Sequence, residues 1–330
     1  MSKKESKLYD AWIMWSINKK CNFRCVYCLA QSRVNDFLFE KNSHQGFAFL
    51  VKKQIFEIRR KIKKLFRIGL PATLRIILPR RGAIDIHALR KVLNKTNRIY
   101  RFDLTGGEPF LVPNIIDTCD EITKKHFLLI STNLTSNKIK DFVQKICPER
   151  VVGINASCHI KELERLNLLD KYVDNFHLCK GKGFNIAVTE RAYPPLLGEV
   201  EKYKKFFERK GIELKFDQFS GKYNGRLYPE SYTDEEIKIF GLEEASAMEI
   251  FHSKGKICNA GYNVCVAFPG GDVRPCFLLY ENLGNLYDGI KFKEKLTRCP
   301  NELCACPLGY YNSYLFERAL AECGTPELLG

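Results

Sequence analysis

The sequence predicts an α/β fold: a parallel sheet that closes part-way into an open (β/α)6 barrel, followed by a small cysteine-rich segment. Three observations predict it. Six extended apolar segments recur between Ala11 and Phe219, helix-period stretches separate most of them, and glycine, proline and cysteine dominate from Cys258 onward. Strands that alternate with helices pair in parallel through right-handed crossovers, and six such units suffice for a partial barrel.

The six segments are Ala11–Ile17, Ile99–Leu104, His126–Thr132, Arg150–Cys158, Phe184–Thr189 and Glu213–Phe219, each rich in Ile, Val, Phe or Leu. Between them, Val51, Ile55, Ile58, Ile62 and Leu65 recur at helical spacing, as do Ile86, Leu89, Val92 and Leu93. Phe142 with Ile146, and Val200 with Tyr203 and Phe207, mark later helices. Gly221 to Pro229 reads as a loop and Thr233 to Phe240 as a short helix. The expected organisation is a core domain over 1–220 with a basic insertion at about 45–82, a linker and helix over 221–257, and a small domain over 258–330.

A chain of 330 residues, 45% hydrophobic, can bury a substantial core. No run of about 18 apolar residues suggests a membrane span, and the charged start Met-Ser-Lys-Lys-Glu-Ser-Lys is unlike a signal peptide. A cytoplasmic location is therefore expected. The net charge of +15 is concentrated: eleven Lys or Arg stand against one acid, Glu57, between Val51 and Arg81. Such a segment suits an anionic substrate, a nucleic acid, an acidic protein partner or a solvated helix face. Fourteen cysteines without an export signal point to metal or cluster ligation rather than disulfides.

Cys21, Cys25 and Cys28 form a C-x3-C-x2-C run after the first strand. Three thiolates on one loop can hold three corners of a cubane [4Fe-4S] cluster, leaving one iron without a protein ligand; a zinc site is the structural rival. Thr105-Gly106-Gly107-Glu108-Pro109 follows the second strand, Ser131-Thr132-Asn133 ends the third, and Asn155 to His159 ends the fourth. Active sites of parallel α/β folds gather where strands end, so all four converge on one rim.

The triplet with Gly-Gly-Glu-Pro resembles the radical S-adenosylmethionine (radical SAM) superfamily, whose core is a partial TIM-like barrel. The resemblance implies that the open iron binds SAM, that SAM is cleaved reductively to a 5′-deoxyadenosyl radical, and that this radical takes a hydrogen atom from substrate. It assigns Cys21, Cys25 and Cys28 to the cluster, and Tyr27 to a position near adenine. Gly106 and Gly107 would allow close backbone approach, and Glu108 would accept from the methionine ammonium. Thr132 and Asn133 resemble a ribose-contact segment, and Ser157 the polar position of the fourth strand. Cys158 and His159 are the catalytic candidates, with packing and a structural role as the plainer alternatives.

The run from Cys258 through Cys265, Gly270-Gly271-Asp272 and Cys276 resembles the SPASM and shorter twitch extensions of that superfamily, which hold auxiliary iron–sulfur clusters. Gly270-Gly271-Asp272 suits a hairpin turn that draws Cys258 and Cys276 together. The expected auxiliary ligands are Cys258, Cys276, Cys304 and Cys306, with Cys265 and Cys299 as substitutes; four cysteines also suit zinc. The chain departs from the longer SPASM spacing, so one auxiliary cluster is expected.

The implied activity is hydrogen abstraction leading to oxidation, epimerisation or cross-linking. About twenty residues precede the cluster loop, which tilts the expected substrate toward a small molecule or a peptide. A flavodoxin- or ferredoxin-type electron donor would complement the basic charge. Two other classes stay open: a nucleic-acid (tRNA) modifying enzyme using the basic segment, and a non-catalytic iron–sulfur regulator.

Overall fold

A computed structural model describes residues 8–28, 82–242, 251–304 and 313–323. The basic insertion up to Arg81, including the helix expected over Val51 to Leu65, and Cys306 lie outside the described residues.

All six expected strands form, in the expected order: β1 (Ala11–Asn18), β2 (Tyr100–Gly106), β3 (Phe127–Thr132), β4 (Val151–Ser157), β5 (Ile186–Arg191) and β6 (Leu214–Asp217). Each pairs in parallel with the next. Helices α1 (Ile86–Lys95), α2 (Ile115–Thr123), α3 (Ile139–Lys145), α4 (Ile160–Arg165), α5 (Leu169–Gly181) and α6 (Val200–Glu208) connect them. Asp85 caps α1 by accepting from the Ala88 amide at 3.0 Å. Helix α7 (Asp234–Phe240) starts on a reciprocal Thr233–Glu236 capping box and stops at Gly241, whose φ is +72°.

Strand alternation divides the sheet into two faces. Ile13, Trp15, Phe102, Leu104, Ile130, Ile154, Val188 and Phe216 join the main core, beneath helix residues such as Leu89, Ile122, Phe142, Tyr172 and Phe207. The other face of β1 carries Trp12 into a second core with Tyr9, Phe127 and Cys276. There Arg101 and Asp103 form a buried two-bond ion pair at 2.6 and 2.8 Å, and the Arg101 guanidinium also donates to the Tyr9 hydroxyl. Burial is tolerable for these charges because each satisfies the other.

The segment from Gly221 to Pro229, expected as a loop, pairs as the short hairpin β7 (Gly221–Tyr223) and β8 (Arg226–Tyr228). It is short because Asn224 and Gly225, both with positive φ, make the reversal. Beyond it lie β9 (Phe251–His252), β10 (Ile257–Cys258), β11 (Val264–Ala267), β12 (Asp272–Arg274), β13 (Gly284–Asn285), β14 (Gly289–Ile290), β15 (Thr297–Arg298), β16 (Leu303–Cys304) and helix α8 (Ser313–Cys323). Periodicity did not reveal how this region attaches. Strand β11 pairs in parallel with β1, matching Trp12 with Val264 and Trp15 with Ala267. Strands β12 to β14 follow in antiparallel order, so one ten-stranded sheet runs from β14 to β6. Residues 264–290 thus extend the barrel sheet instead of standing apart from it. Among the described residues no helix is long and apolar enough to cross a membrane.

His126, just before β3, is 1% exposed beside the Tyr100 and Phe102 rings. Its Nδ1 accepts from the Tyr100 amide at 3.1 Å. Burial holds its pKa down at about 4. The folded state therefore keeps it neutral while the unfolded chain takes a proton below about pH 6.5. Stability should fall by about 2 kcal/mol between pH 7 and pH 5 from this group alone. Urea midpoints of wild type and His126→Gln at the two pH values check this: the variant should lose that share of the decline.

Candidate functional site

The three-cysteine loop leaves the end of β1, and its course is set by the turn that ends β2. The Gly107 amide donates to the Asn18 carbonyl at 3.0 Å and the Glu108 amide to the Lys20 carbonyl at 2.7 Å. The Asn18 side chain returns a bond to the Glu108 carbonyl at 2.9 Å. A Cβ on Gly107 would stand 2.0 Å from the Lys20 carbonyl oxygen, and one on Gly106 2.4 Å from that of Asn18. Gly106 also has φ +126°. The glycines admit the loop's own backbone; that close approach is the immediate reason for them here.

Glu108 is 2% exposed, and three donors hold its carboxylate. Oε1 accepts from the Phe110 amide at 3.0 Å and the Thr132 hydroxyl at 2.8 Å, and Oε2 from the Asn133 amide at 2.8 Å. Burial pushes its pKa up while the three bonds pull it down. A carboxylate offers roughly four acceptor positions, so about one remains for an ammonium group. Thr132 and Asn133, expected near a ribose, bond to this carboxylate, and Asn133 also bonds to the loop. Asn133 donates to the Asn22 side chain at 2.8 Å, and Asn22 donates to Thr135 at 3.1 Å.

Two further carboxylates grip the loop around Cys25. Glu162 accepts from the Arg24 amide at 2.7 Å and from Arg165 at 2.8 and 2.9 Å. Those Arg165 bonds hold its pKa below the usual range. Glu190, 1% exposed at the end of β5, accepts from the Tyr27 hydroxyl at 2.8 Å and the Arg191 and Ile160 amides at 2.7 and 2.5 Å. Both oxygens take amide donors, an arrangement that suits the ionised form, although burial pushes the group's pKa up. Tyr27 is buried against His159 and Tyr193, with ring centroids 5.7 and 5.1 Å away. His159 takes a left-handed backbone, φ +43°, and burial lowers its pKa to about 4. Ser157 is half-buried at the end of β4. Cys158 is completely buried in the main core, so the candidate thiol does not reach the rim.

Cys21 is exposed, and Cys25 and Cys28 are half-buried. Burial is the main reason the Cys21 and Cys25 thiols are pushed up, and each is raised further by its neighbours in the triplet. The thiols therefore lie close enough to interact electrostatically. Among the described residues no three His, Cys, Asp or Glu side chains converge on the position of a single metal ion. A cubane asks something different, since each thiolate binds its own iron, and three thiols spread over one loop fit that demand.

A second thiol group forms behind β11. The hairpin turn at Gly270-Gly271 is present, both residues having positive φ. Burial pushes Cys258 up to about 11 and Cys276 up to about 12. Cys258 feels Cys299 and Cys304, and Cys276 feels Cys258 and Cys304. Pairing of β10 with β15 and of β16 with β9 carries Cys258, Cys299 and Cys304 together. Cys265, named as a substitute ligand, is fully buried in the main core, whereas Cys276 lies in the second core, where Cys258 packs alongside. The alternation of β11 turns Cys265 away from the group.

The inner face of β4 to β6 is polar. Asn155 and Lys215 are exposed and Ser157, Thr189, Arg191 and Asp217 half-buried. Register places Ser157 beside Thr189, Thr189 beside Lys215, and Arg191 beside Asp217.

Asn22, Glu162 and Glu190 were not found by sequence reasoning. Glu190 left a signal: it continues the core-facing register of Ile186 and Val188, where an acid is out of place.

No protein-family model matches the chain, and no curated protein matches it. Among solved structures it is similar to native anSMEcpe with bound AdoMet and Cp18Cys peptide. That pair is 18% identical, covering 84% of this chain and 77% of the other, with TM-score 0.49. It is also similar to Streptococcus suis SuiB bound to precursor peptide SuiA: 12% identity, 88% and 67% coverage, TM-score 0.47.

Gly107→Ala should dislodge the loop, because the backbone it meets has nowhere to go. We expect a loss of roughly 3 kcal/mol, with any iron that the loop takes up on reconstitution falling in parallel. Thermal melts and iron assay after anaerobic reconstitution measure both.

Proposed function

We propose that the protein is a radical SAM enzyme whose loop thiols Cys21, Cys25 and Cys28 hold a [4Fe-4S] cluster with one iron free for SAM. One observation carries the proposal: the three thiols share a loop that backbone hydrogen bonds join to Gly106-Gly107-Glu108. Ligands and carboxylate thereby belong to one rigid frame, which favours an enzyme over a regulator. When bound, the cluster supplies the electron that cleaves SAM to methionine and a 5′-deoxyadenosyl radical able to abstract hydrogen from substrate.

The chain's own residues do the rest. Glu108, oriented by Thr132 and the Phe110 and Asn133 amides, offers its remaining acceptor position to the methionine ammonium. Glu190 and His159 fix the Tyr27 ring between the last two ligands. Asn155, Ser157, Thr189 and Lys215 line an inner face that suits a polar small molecule or peptide, with oxidation, epimerisation or cross-linking as the outcome. Cys258, Cys276 and Cys304, with Cys306 or Cys299, hold an auxiliary cluster. An acidic flavodoxin- or ferredoxin-type donor complements the +15 charge.

Anaerobic reconstitution followed by SAM and dithionite tests the proposal. The wild type should release 5′-deoxyadenosine and bind roughly eight irons, and a Cys21/Cys25/Cys28→Ala variant should release none and keep about four. Absence of 5′-deoxyadenosine from iron-loaded wild type overturns the enzyme reading; zinc behind β11 overturns the auxiliary cluster.

A further inference from the structure

Three thiolates and their cluster would sit on a loop clasped by carboxylates, although the chain as a whole is strongly basic. Glu162 reaches the amide of Arg24, immediately before Cys25, and Glu190 reaches Tyr27, two residues after it. Glu190 is nearly excluded from water, so its field is weakly screened, whereas Glu162 keeps a partly exposed edge beside Arg165. The same bonds have a second effect. The Arg24 amide is directed to Glu162, and an amide so committed cannot be fully given to sulfur. A negative charge beside a cluster, and fewer hydrogen bonds to its sulfurs, both lower its reduction potential. Arg165 opposes this. Its guanidinium is forked on Glu162 and is itself half exposed.

Resting on the cluster assignment above, we propose that Glu190, Glu162 and Arg165 are positioning residues that also set the reduction potential of the three-cysteine loop's cluster, the two acids lowering it and the arginine raising it. The two acids come from different elements, Glu162 from α4 and Glu190 from β5. The arrangement joins holding the loop in place with tuning it, because each carboxylate bond that pins the loop also brings charge to its ligands. A low potential suits a centre that must pass an electron to a sulfonium.

Sign is the test. Redox titration of the full-length reconstituted protein, followed by electron paramagnetic resonance, gives the potential of the cluster whose signal changes on adding SAM. Glu190→Gln and Glu162→Gln, each removing one negative charge, should shift it upward. Arg165→Gln, removing a positive charge at a half-exposed position, should shift it downward. A purely structural role does not produce shifts of opposite sign in variants with full iron content. An unchanged or raised potential in Arg165→Gln overturns the proposal, even where a glutamate variant fails to hold iron. So does an unchanged or lowered potential in an iron-loaded glutamate variant. A wild type with no SAM-responsive iron signal instead sinks the cluster assignment itself, which separates the two failures.

Discussion

Main chain lies against main chain where Gly106 and Gly107 meet Asn18 and Lys20, and the rest of the site follows from that contact. Any side chain at Gly107 would occupy the space of the Lys20 carbonyl. The contact extends the β1–β2 ladder past the end of the sheet, through the Gly107 and Glu108 amides. It therefore transfers the rigidity of two buried strands to a loop of polar residues and thiols. A loop that carries three thiols cannot rely on its own packing, since Cys21 is exposed and, among the described residues of the loop, only Phe23 and Tyr27 are buried deeply. Its order is imported from the sheet.

Polar side chains complete what the backbone contact begins. Asn133 reaches Asn22, Glu162 reaches Arg24 and Glu190 reaches Tyr27, so each stretch between the thiols is anchored, from the end of β3, from α4 and from the end of β5. Buried carboxylates are costly unless fully bonded. Here the cost is offset by amides that a loop would otherwise leave without partners, and each bond satisfies both parties. The result is a loop whose geometry and electrostatics have the same origin. Moving an anchor moves a thiol and alters the field at that thiol together.

Much of this was legible because it depends on short-range pattern. The six strands follow from apolar runs between polar breaks, and their ends fall close to the predicted ones. The cysteine triplet and the Gly-Gly-Glu turn stood out because both residue types are expensive to place without reason. What stayed hidden is non-local. Nothing in Val264-Cys265-Val266-Ala267 says that it pairs with β1, because a four-residue apolar strand fits any free edge. The strand-end position of Thr132 and Asn133 was legible, but their bonds to Glu108 were not, because the carboxylate they meet lies on a different strand end. Glu190 was readable as an anomaly of register, though its partner Tyr27, 163 residues away, was not.

The attachment of β11 changes how the two thiol groups relate. Strand β1 carries the triplet on its C-terminal end and offers Trp12 and Met14 to the second core, where Cys276 is buried. Its opposite edge is occupied by β11, whose hairpin with β12 leads directly to Cys276. A single strand is thus shared by both groups, one through its end and the other through its edge. Because a sheet transmits displacement along hydrogen-bonded neighbours better than a linker does, the second group is a structural extension of the first. Removing the segment from β11 onward would strip β1 of one of its two partners and expose the Trp12 face that Val264 and Val266 now cover. The cysteine-rich segment is therefore bound to the core by the same physics that builds the core, whatever its thiols ligate.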